Sequence, residues 1–135
     1  MVIKKITPED TWPIRQKVMW PDKPISFVKL EEDKNGTHYG LYQDEVLTSV
    51  VSVFEVNGEI QFRKFATLQD KQKRGFGTLL LNHVLAEARS RKAKKVWCNA
   101  RVHKKGYYEK FGLADTHQRF AKAGKEYTIM ELILI

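Results

Sequence analysis

The chain has 135 residues, a formal net charge of +8, 42% apolar and 30% charged residues, and a single cysteine. That is enough to bury about two-thirds of the unfolded surface in one domain, residues 1–135, without disulfides, and it excludes collagen-like, disulfide-scaffold and disordered chains. The charge is uneven: residues 71–110 hold 12 Lys and Arg against Glu87 and Glu109, a net of +10, so the other 95 residues carry −2.

Val2 to Thr7 reads as a short strand, and Pro8-Glu9-Asp10 opens a helix to about Met19, with Thr7 as its cap and acids in the first turn. Trp20-Pro21 ends it. The stretch to Asn35-Gly36 carries no clear period, and Glu31, Glu32 and Asp33 suggest an exposed loop or short helix. Three strands follow, Thr37 to Tyr42, Val46 to Val56 and Glu59 to Leu68, the last two separated by the hairpin dipeptide Asn57-Gly58. Gly77 to about Arg91 is a helix in which Leu80, Val84 and Ala88 recur at four-residue spacing, with Leu81 and Leu85 beside them. Lys95 to Asn99 is a strand, and a helix from about His103 to Phe111 stops at Gly112. Around Gly124, Thr116 to Ala121 pairs with Tyr127 to Ile135, whose apolar end, Ile129 to Ile135, predicts a buried strand. The order β, α, β, β, β, α, β, α, β, β implies one central sheet flanked by helices.

MVIKKITPED lacks the apolar core of a signal peptide and no run reaches the 18 residues of a membrane span, so a cytoplasmic protein without membrane association is expected. Cys98, in the apolar run VWC, is expected to be a buried structural thiol. His38, His83, His103 and His117 are too scattered for a metal triad, so no metal is expected. His83 falls in the helix pattern and reads as structural.

Chemistry concentrates at the junction between the fourth strand and its helix, Gln72-Lys73-Arg74-Gly75-Phe76-Gly77-Thr78. Two glycines let backbone amides approach a ligand, and a helix N-terminus favours phosphate through its unpaired N–H groups and its dipole. The dinucleotide fingerprint would need a glycine at Leu80, and the Walker A loop needs G-K-[ST] after a longer gap; neither fits.

The string Q-x-x-G-x-G after a strand, followed some thirty residues later by Tyr107-Tyr108-Glu109-Lys110-Phe111-Gly112-Leu113, resembles the GNAT superfamily of acetyl-CoA-dependent N-acetyltransferases. In that family the first motif reads [QR]-x-x-G-x-[GA] and the second commonly reads F-Y-E-K-x-G-F. The resemblance implies an α/β (α+β) fold with a central mixed, mostly antiparallel twisted sheet of six to seven strands flanked by helices. It implies that backbone amides of Gln72, Lys73, Arg74, Gly75, Phe76, Gly77 and Thr78 hold the pyrophosphate of coenzyme A, that Phe65, Ala66 and Thr67 pair with the pantetheine arm by strand addition, and that one of these amides polarises the thioester carbonyl. Tyr108 is the implied general acid, since a phenol stays protonated at neutral pH; Tyr107 reads as packing. Where the family often has Asn and a small residue, this chain has Arg101 and Lys104, candidates to reach a phosphate, while Asn99 is a candidate partner of the pantetheine.

Residues 60–68 contain no carboxylate to serve as base. Glu55, across the expected hairpin, would lie roughly 17 Å from Phe65 at strand rise, which leaves a water-relayed base or an amine that arrives neutral. Asp115 and His117 are candidates for substrate contact. The implied partner is a small-molecule or peptide amine, and a homodimer is left open. Two competing readings remain: a nucleic-acid-binding module, carried by Arg89-Ser90-Arg91-Lys92-Ala93-Lys94-Lys95 although no aromatics interleave to stack bases, and a GNAT-like fold that binds CoA without catalysis.

Overall fold

A computed structural model describes residues 1–135. Seven strands, β1 (Val2–Ile6), β2 (Thr37–Gln43), β3 (Val46–Val56), β4 (Glu59–Thr67), β5 (Lys95–Arg101), β6 (Ala114–Lys122) and β7 (Lys125–Ile133), form one sheet in the order β1-β2-β3-β4-β5-β7-β6. The β1–β2, β2–β3, β5–β7 and β6–β7 pairs are antiparallel and β4–β5 is parallel, so the sheet is mixed. The helices are α1 (Pro8–Ile14), α2 (Phe76–Ser90) and α3 (Lys105–Glu109). The backbone packs as two compact units, residues 1–54 with 62–84 and residues 55–61 with 85–135.

In the first unit, Thr7 caps α1 as the sequence predicts: its hydroxyl accepts from the Asp10 N–H and its own N–H donates to the Asp10 carboxylate, a reciprocal box that contributes about 1 kcal/mol. The expected helix to Met19 changes character partway. Pro13 brings no N–H to the ladder, and Arg15–Met19 continue as a wider π-helical turn that ends at Trp20. Ile14, Val50 and Ala66 pack together, with Ile6, Val18, Met19, Leu47 and Leu68 around them.

The segment without a sequence period contains two 3₁₀ turns, Ile25–Val28 and Glu31–Asn35. Its acids do not all face water. Asp33 is buried, and its carboxylate takes two bonds of 2.8 Å from Arg15, wholly buried at the start of the π-helical turn, and others from Trp12 Nε1 and the Leu30 N–H. Arg15 also donates to the Val28 carbonyl and to Ser52 Oγ of β3. His38 of β2 completes the network: Nε2 donates to the Asp33 carbonyl at 2.8 Å, and Nδ1 lies 2.7 Å from Ser52 Oγ. The expectation of an exposed acidic stretch therefore holds for Glu31 and Glu32 but not for Asp33, because a buried arginine demands a buried counter-charge.

In the second unit, β5 alternates, with Val96, Cys98 and Ala100 buried and Asn99 exposed. The Asn57-Gly58 turn, in this unit, has positive φ at both residues (54° and 78°), the twist a two-residue hairpin needs. Ala123 (51°) and Gly124 (77°) repeat it between β6 and β7. The predicted burial of Ile129 to Ile135 fails: β7 ends at Ile133, Met130 alone of this run is fully buried, and Ile133 and Ile135 are exposed. An apolar run reads as buried on both faces, whereas β7 is an antiparallel strand next to the edge strand β6, most of which faces solvent.

Burial pushes the Asp33 carboxyl up, but the hydrogen bond and charge of Arg15, with the Leu30 N–H and Trp12, outweigh it and hold the pKa down at about 2. A carboxyl depressed in the folded state stabilises the fold above its unfolded pKa, and that share is lost as pH falls through the folded value. Thermal melts from pH 5 to pH 2 should show a loss of stability that Asp33→Asn lacks. At neutral pH the same variant should be destabilised by about 3–5 kcal/mol, since it strands the Arg15 charge.

Candidate active site

One group of the expected site residues lies in the first unit, where β4 gives way to α2. Lys64 adopts φ 54°, a left-handed step inside β4 just before Phe65. Ala66 is buried, while Phe65 and Thr67 are half-buried. Thr67 ends the strand under several restraints: its carbonyl accepts from Gln72 Nε2 at 2.9 Å, and its hydroxyl lies 2.8 Å from Ser49 Oγ on β3. Ser49 also donates to the Ala66 carbonyl, and the Leu68 N–H donates to the Thr48 carbonyl.

A 3₁₀ turn, Gln69–Lys71, leads to Lys73 at φ 64° and Gly75 at φ 86°. Gly75 is required by this conformation rather than by space, since a Cβ there would meet nothing within 4 Å. Its carbonyl accepts the Leu79 N–H at 3.0 Å, which makes Gly75 the cap from which α2 starts, one residue earlier than predicted. Phe76 is buried and anchors the first turn, so only its backbone is offered to a ligand. Gln72, Lys73, Arg74 and Thr78 are exposed. A helix start with an open glycine cap and cations beside it suits the pyrophosphate of a cofactor such as coenzyme A.

Another group of expected residues lies in the second unit. A 3₁₀ turn, Val102–Lys104, leads into α3, so the expected single helix is a short α-helix with a tighter entry. Tyr108 sits on it, half-buried, with the Tyr107 ring 5.4 Å away and Tyr107 in turn 5.2 Å from Phe111. Gly112, at φ 95°, ends the helix as predicted. Burial, with Cys98 and Tyr107 nearby, raises the Tyr108 hydroxyl above the ordinary phenol range, which keeps its proton in place at neutral pH. Asn99 and Lys104 are exposed, and Arg101 is half-buried.

Burial also raises the Cys98 thiol to about 12, which removes it as a nucleophile at neutral pH and fits the structural role expected of it. Asp115 is already engaged: Thr128 and the His117 N–H donate to it, and Arg119, Lys105 and His117 surround it, so its pKa falls to about 2. Glu55 pairs with Arg91 at 3.3 Å. The His83 ring meets Tyr39 at 4.9 Å, a packing contact.

The structure thus gathers Phe65, Ala66, Thr67 and Gln72 to Thr78 in one unit and Asn99, Lys104 and Tyr108 in the other. Sequence reasoning missed Ser49, an ordinary strand residue to the eye, and the Arg15–Asp33 pair, whose partners lie 18 positions apart with no spacing rule to join them.

Residues 18–134 match the family model described as an acetyltransferase (GNAT) domain. The chain belongs to the GNAT acetyltransferase family. The uncharacterized N-acetyltransferase YitI of Bacillus subtilis (strain 168) is 31% identical over 127 residues, covering 87% of this chain and 85% of that protein. In fold, the chain is similar to the ribosomal-protein-S18-alanine N-acetyltransferase of Escherichia coli (TM-score 0.80, 19% identity, 98% of this chain and 93% of the other). It is also similar to a GNAT family acetyltransferase of Elizabethkingia anophelis with acetyl-CoA bound (TM-score 0.75, 15% identity, 98% and 97%).

As a GNAT acetyltransferase the chain is an acyltransferase enzyme acting on nitrogen, with coenzyme A chemistry. Within the second unit, part of the basic run is engaged at home: Arg91 with Glu55 and Glu87, Lys95 with Glu59 and Glu131. No helix is long and apolar enough to cross a membrane. For Cys98, a thiol-colour reagent at pH 8 should find no fast-reacting thiol in the folded GNAT protein and one after denaturation. Fast native labelling would contradict the burial of that side chain.

Proposed function

We propose that this chain transfers the acetyl group of acetyl-CoA to a primary amine of a small molecule or peptide by direct attack of the amine nitrogen, with Tyr108 as general acid. The observation that carries the reading is the start of α2, where Gly75 at φ 86° opens into free space beside Lys73 and Arg74. Backbone amides of Gln72 to Thr78 hold the pyrophosphate, and Phe65, Ala66 and Thr67 run alongside the pantetheine arm as a neighbouring strand would. Asn99 and Lys104 make further polar contacts with the cofactor.

Acetyl-CoA supplies an activated acyl carbon and a thiolate leaving group. The new C–N bond forms as the C–S bond breaks. One strand amide from Phe65 to Thr67 donates to the carbonyl oxygen as negative charge gathers there. The amine attacks in its neutral form; Tyr108 gives its proton to the departing sulfur, and the nitrogen, cationic once the C–N bond has formed, loses a proton through water, which returns Tyr108 to the phenol. Burial keeps the Tyr108 proton in place at neutral pH, so it is present to be given, while the raised pKa makes the phenol a weaker acid toward the thiolate. The engagement of Glu55 with Arg91 and the thiol character of Cys98 both support direct transfer without a side-chain carboxylate at β4 or a covalent acyl-enzyme.

Tyr108→Phe should lower kcat about 100-fold or more while the KM for acetyl-CoA stays within about twofold, as for an interaction made only in the transition state. The assay is thiol release from acetyl-CoA across amino acids, polyamines, aminoglycosides and peptides. An unchanged kcat at optimal pH would sink the role of Tyr108. Acetyl-CoA should also raise the melting temperature, by mass action on the folded state.

A further inference from the structure

We infer that Ser49 and the side chain of Gln72 are positioning residues that hold Thr67, and through it the pantetheine-binding end of β4, in register with the phosphate-binding start of α2. The inference rests on the donor site proposed above, and it assigns to Gln72 a role for its side chain in addition to its backbone. Three elements of the first unit meet at Thr67. From one side Ser49 Oγ, wholly buried on β3, donates to the Ala66 carbonyl at 3.2 Å; its single proton is then committed, so the Thr67 hydroxyl donates to Ser49 across 2.8 Å. From the other side Gln72 Nε2 reaches back across five positions to the Thr67 carbonyl at 2.9 Å.

These bonds do what β4 cannot do alone. The strand ends at Thr67, and the chain then leaves through a 3₁₀ turn and two left-handed residues, Lys73 and Gly75, before Phe76 enters the helix. Leu68 hangs from Thr48 by its N–H, so β3 grips the exit at two successive positions, Thr48 and Ser49. Gln72 closes the loop from within, tying the first residue of the glycine-bearing segment to the last residue of the strand. A donor whose two ends rest on these two backbone stretches feels their relative placement directly, and small misplacement of either stretch weakens binding at both.

The side-chain chemistry narrows which substitutions serve. At position 72 the need is an N–H donor on a side chain long enough to reach a carbonyl. Methionine has the length of glutamine without the donor or any charge, while arginine keeps a donor. The exposed position of Gln72 makes Gln72→Met tolerable to the fold, whereas Ser49→Ala leaves two polar partners short inside the protein and needs a stability control.

The test is steady-state kinetics on the full chain with acetyl-CoA, with CoA binding and thermal melts alongside. Gln72→Met should raise both the KM for acetyl-CoA and the Kd for CoA about 3- to 10-fold, the loss of one hydrogen bond's worth of binding, with the melting temperature of the free protein and the acceptor KM unmoved. Gln72→Arg should return KM to near the wild-type value. Ser49→Ala combined with Gln72→Met should be less severe than the product of the two single effects, because both act through Thr67. A wild-type KM in Gln72→Met, a failure of Gln72→Arg to rescue, or strictly multiplicative effects overturns the inference. A wild-type protein that binds no CoA overturns the donor site itself, and this inference with it.

Discussion

The exit from β4 is the constraint on which the proposed donor site depends. A strand offers its hydrogen-bonding groups along its edges, and a helix offers unpaired N–H groups only at its first turn. To present both to one extended molecule, the chain must pass from Thr67 to Phe76 by a fixed route. Two left-handed residues shape that route, Lys73 against its preference and Gly75 at no cost. Phe76, driven inward by its own apolar surface, sets where the helix begins. The proposed binding surface is therefore mostly backbone, with the cations around it adding to what the amides and the helix dipole already favour.

Elsewhere in the same unit a different device fixes an irregular stretch. Residues 20–36 have too little regular structure to be held by ladders, and the Arg15–Asp33 pair takes over that task. A buried ion pair is costly unless its remaining polar groups are served. Val28, Leu30, Trp12, Ser52 and His38 serve all but the Arg15 Nε, which stays unpartnered. The result ties α1, β2 and β3 to the Glu31–Asn35 turn through polar bonds of defined direction, which specify one arrangement where apolar packing would tolerate several.

Much of this was legible from the residues. Element order came through because the period changes between strands and helices are sharp, and the helix face Leu80, Val84 and Ala88 is buried as its spacing requires. The Asn57-Gly58 and Gly112 signals held because positive φ leaves few residues to choose from. What sequence could not show was long-range polar pairing. Nothing local distinguishes Asp33 from Glu31 and Glu32, yet one is buried and the others face water. Ser49 likewise looks like any small polar strand residue until β4 is laid beside it. The apolar tail of β7 misled for the opposite reason, since composition alone does not reveal how few neighbours a near-edge strand has. In the site, the motif Gln72 to Thr78 located the junction, whereas the restraints on Thr67 appeared only in three dimensions.

Charge gains a location in the same way. The excess of positive residues between 71 and 110 includes Lys73 and Arg74, exposed at the helix start, and Arg91 and Lys95, which are bound to acids. A single phosphorylated ligand should be read by backbone amides of the β4 exit. Amide NMR of the ¹⁵N-labelled protein titrated with acetyl-CoA tests this most directly. The largest shifts should fall on Gln72 to Thr78, with Gly75 and Gly77 among them, and on Phe65 to Thr67. Shifts confined to the basic run Arg89 to Lys95, with the glycine amides unmoved, would contradict it.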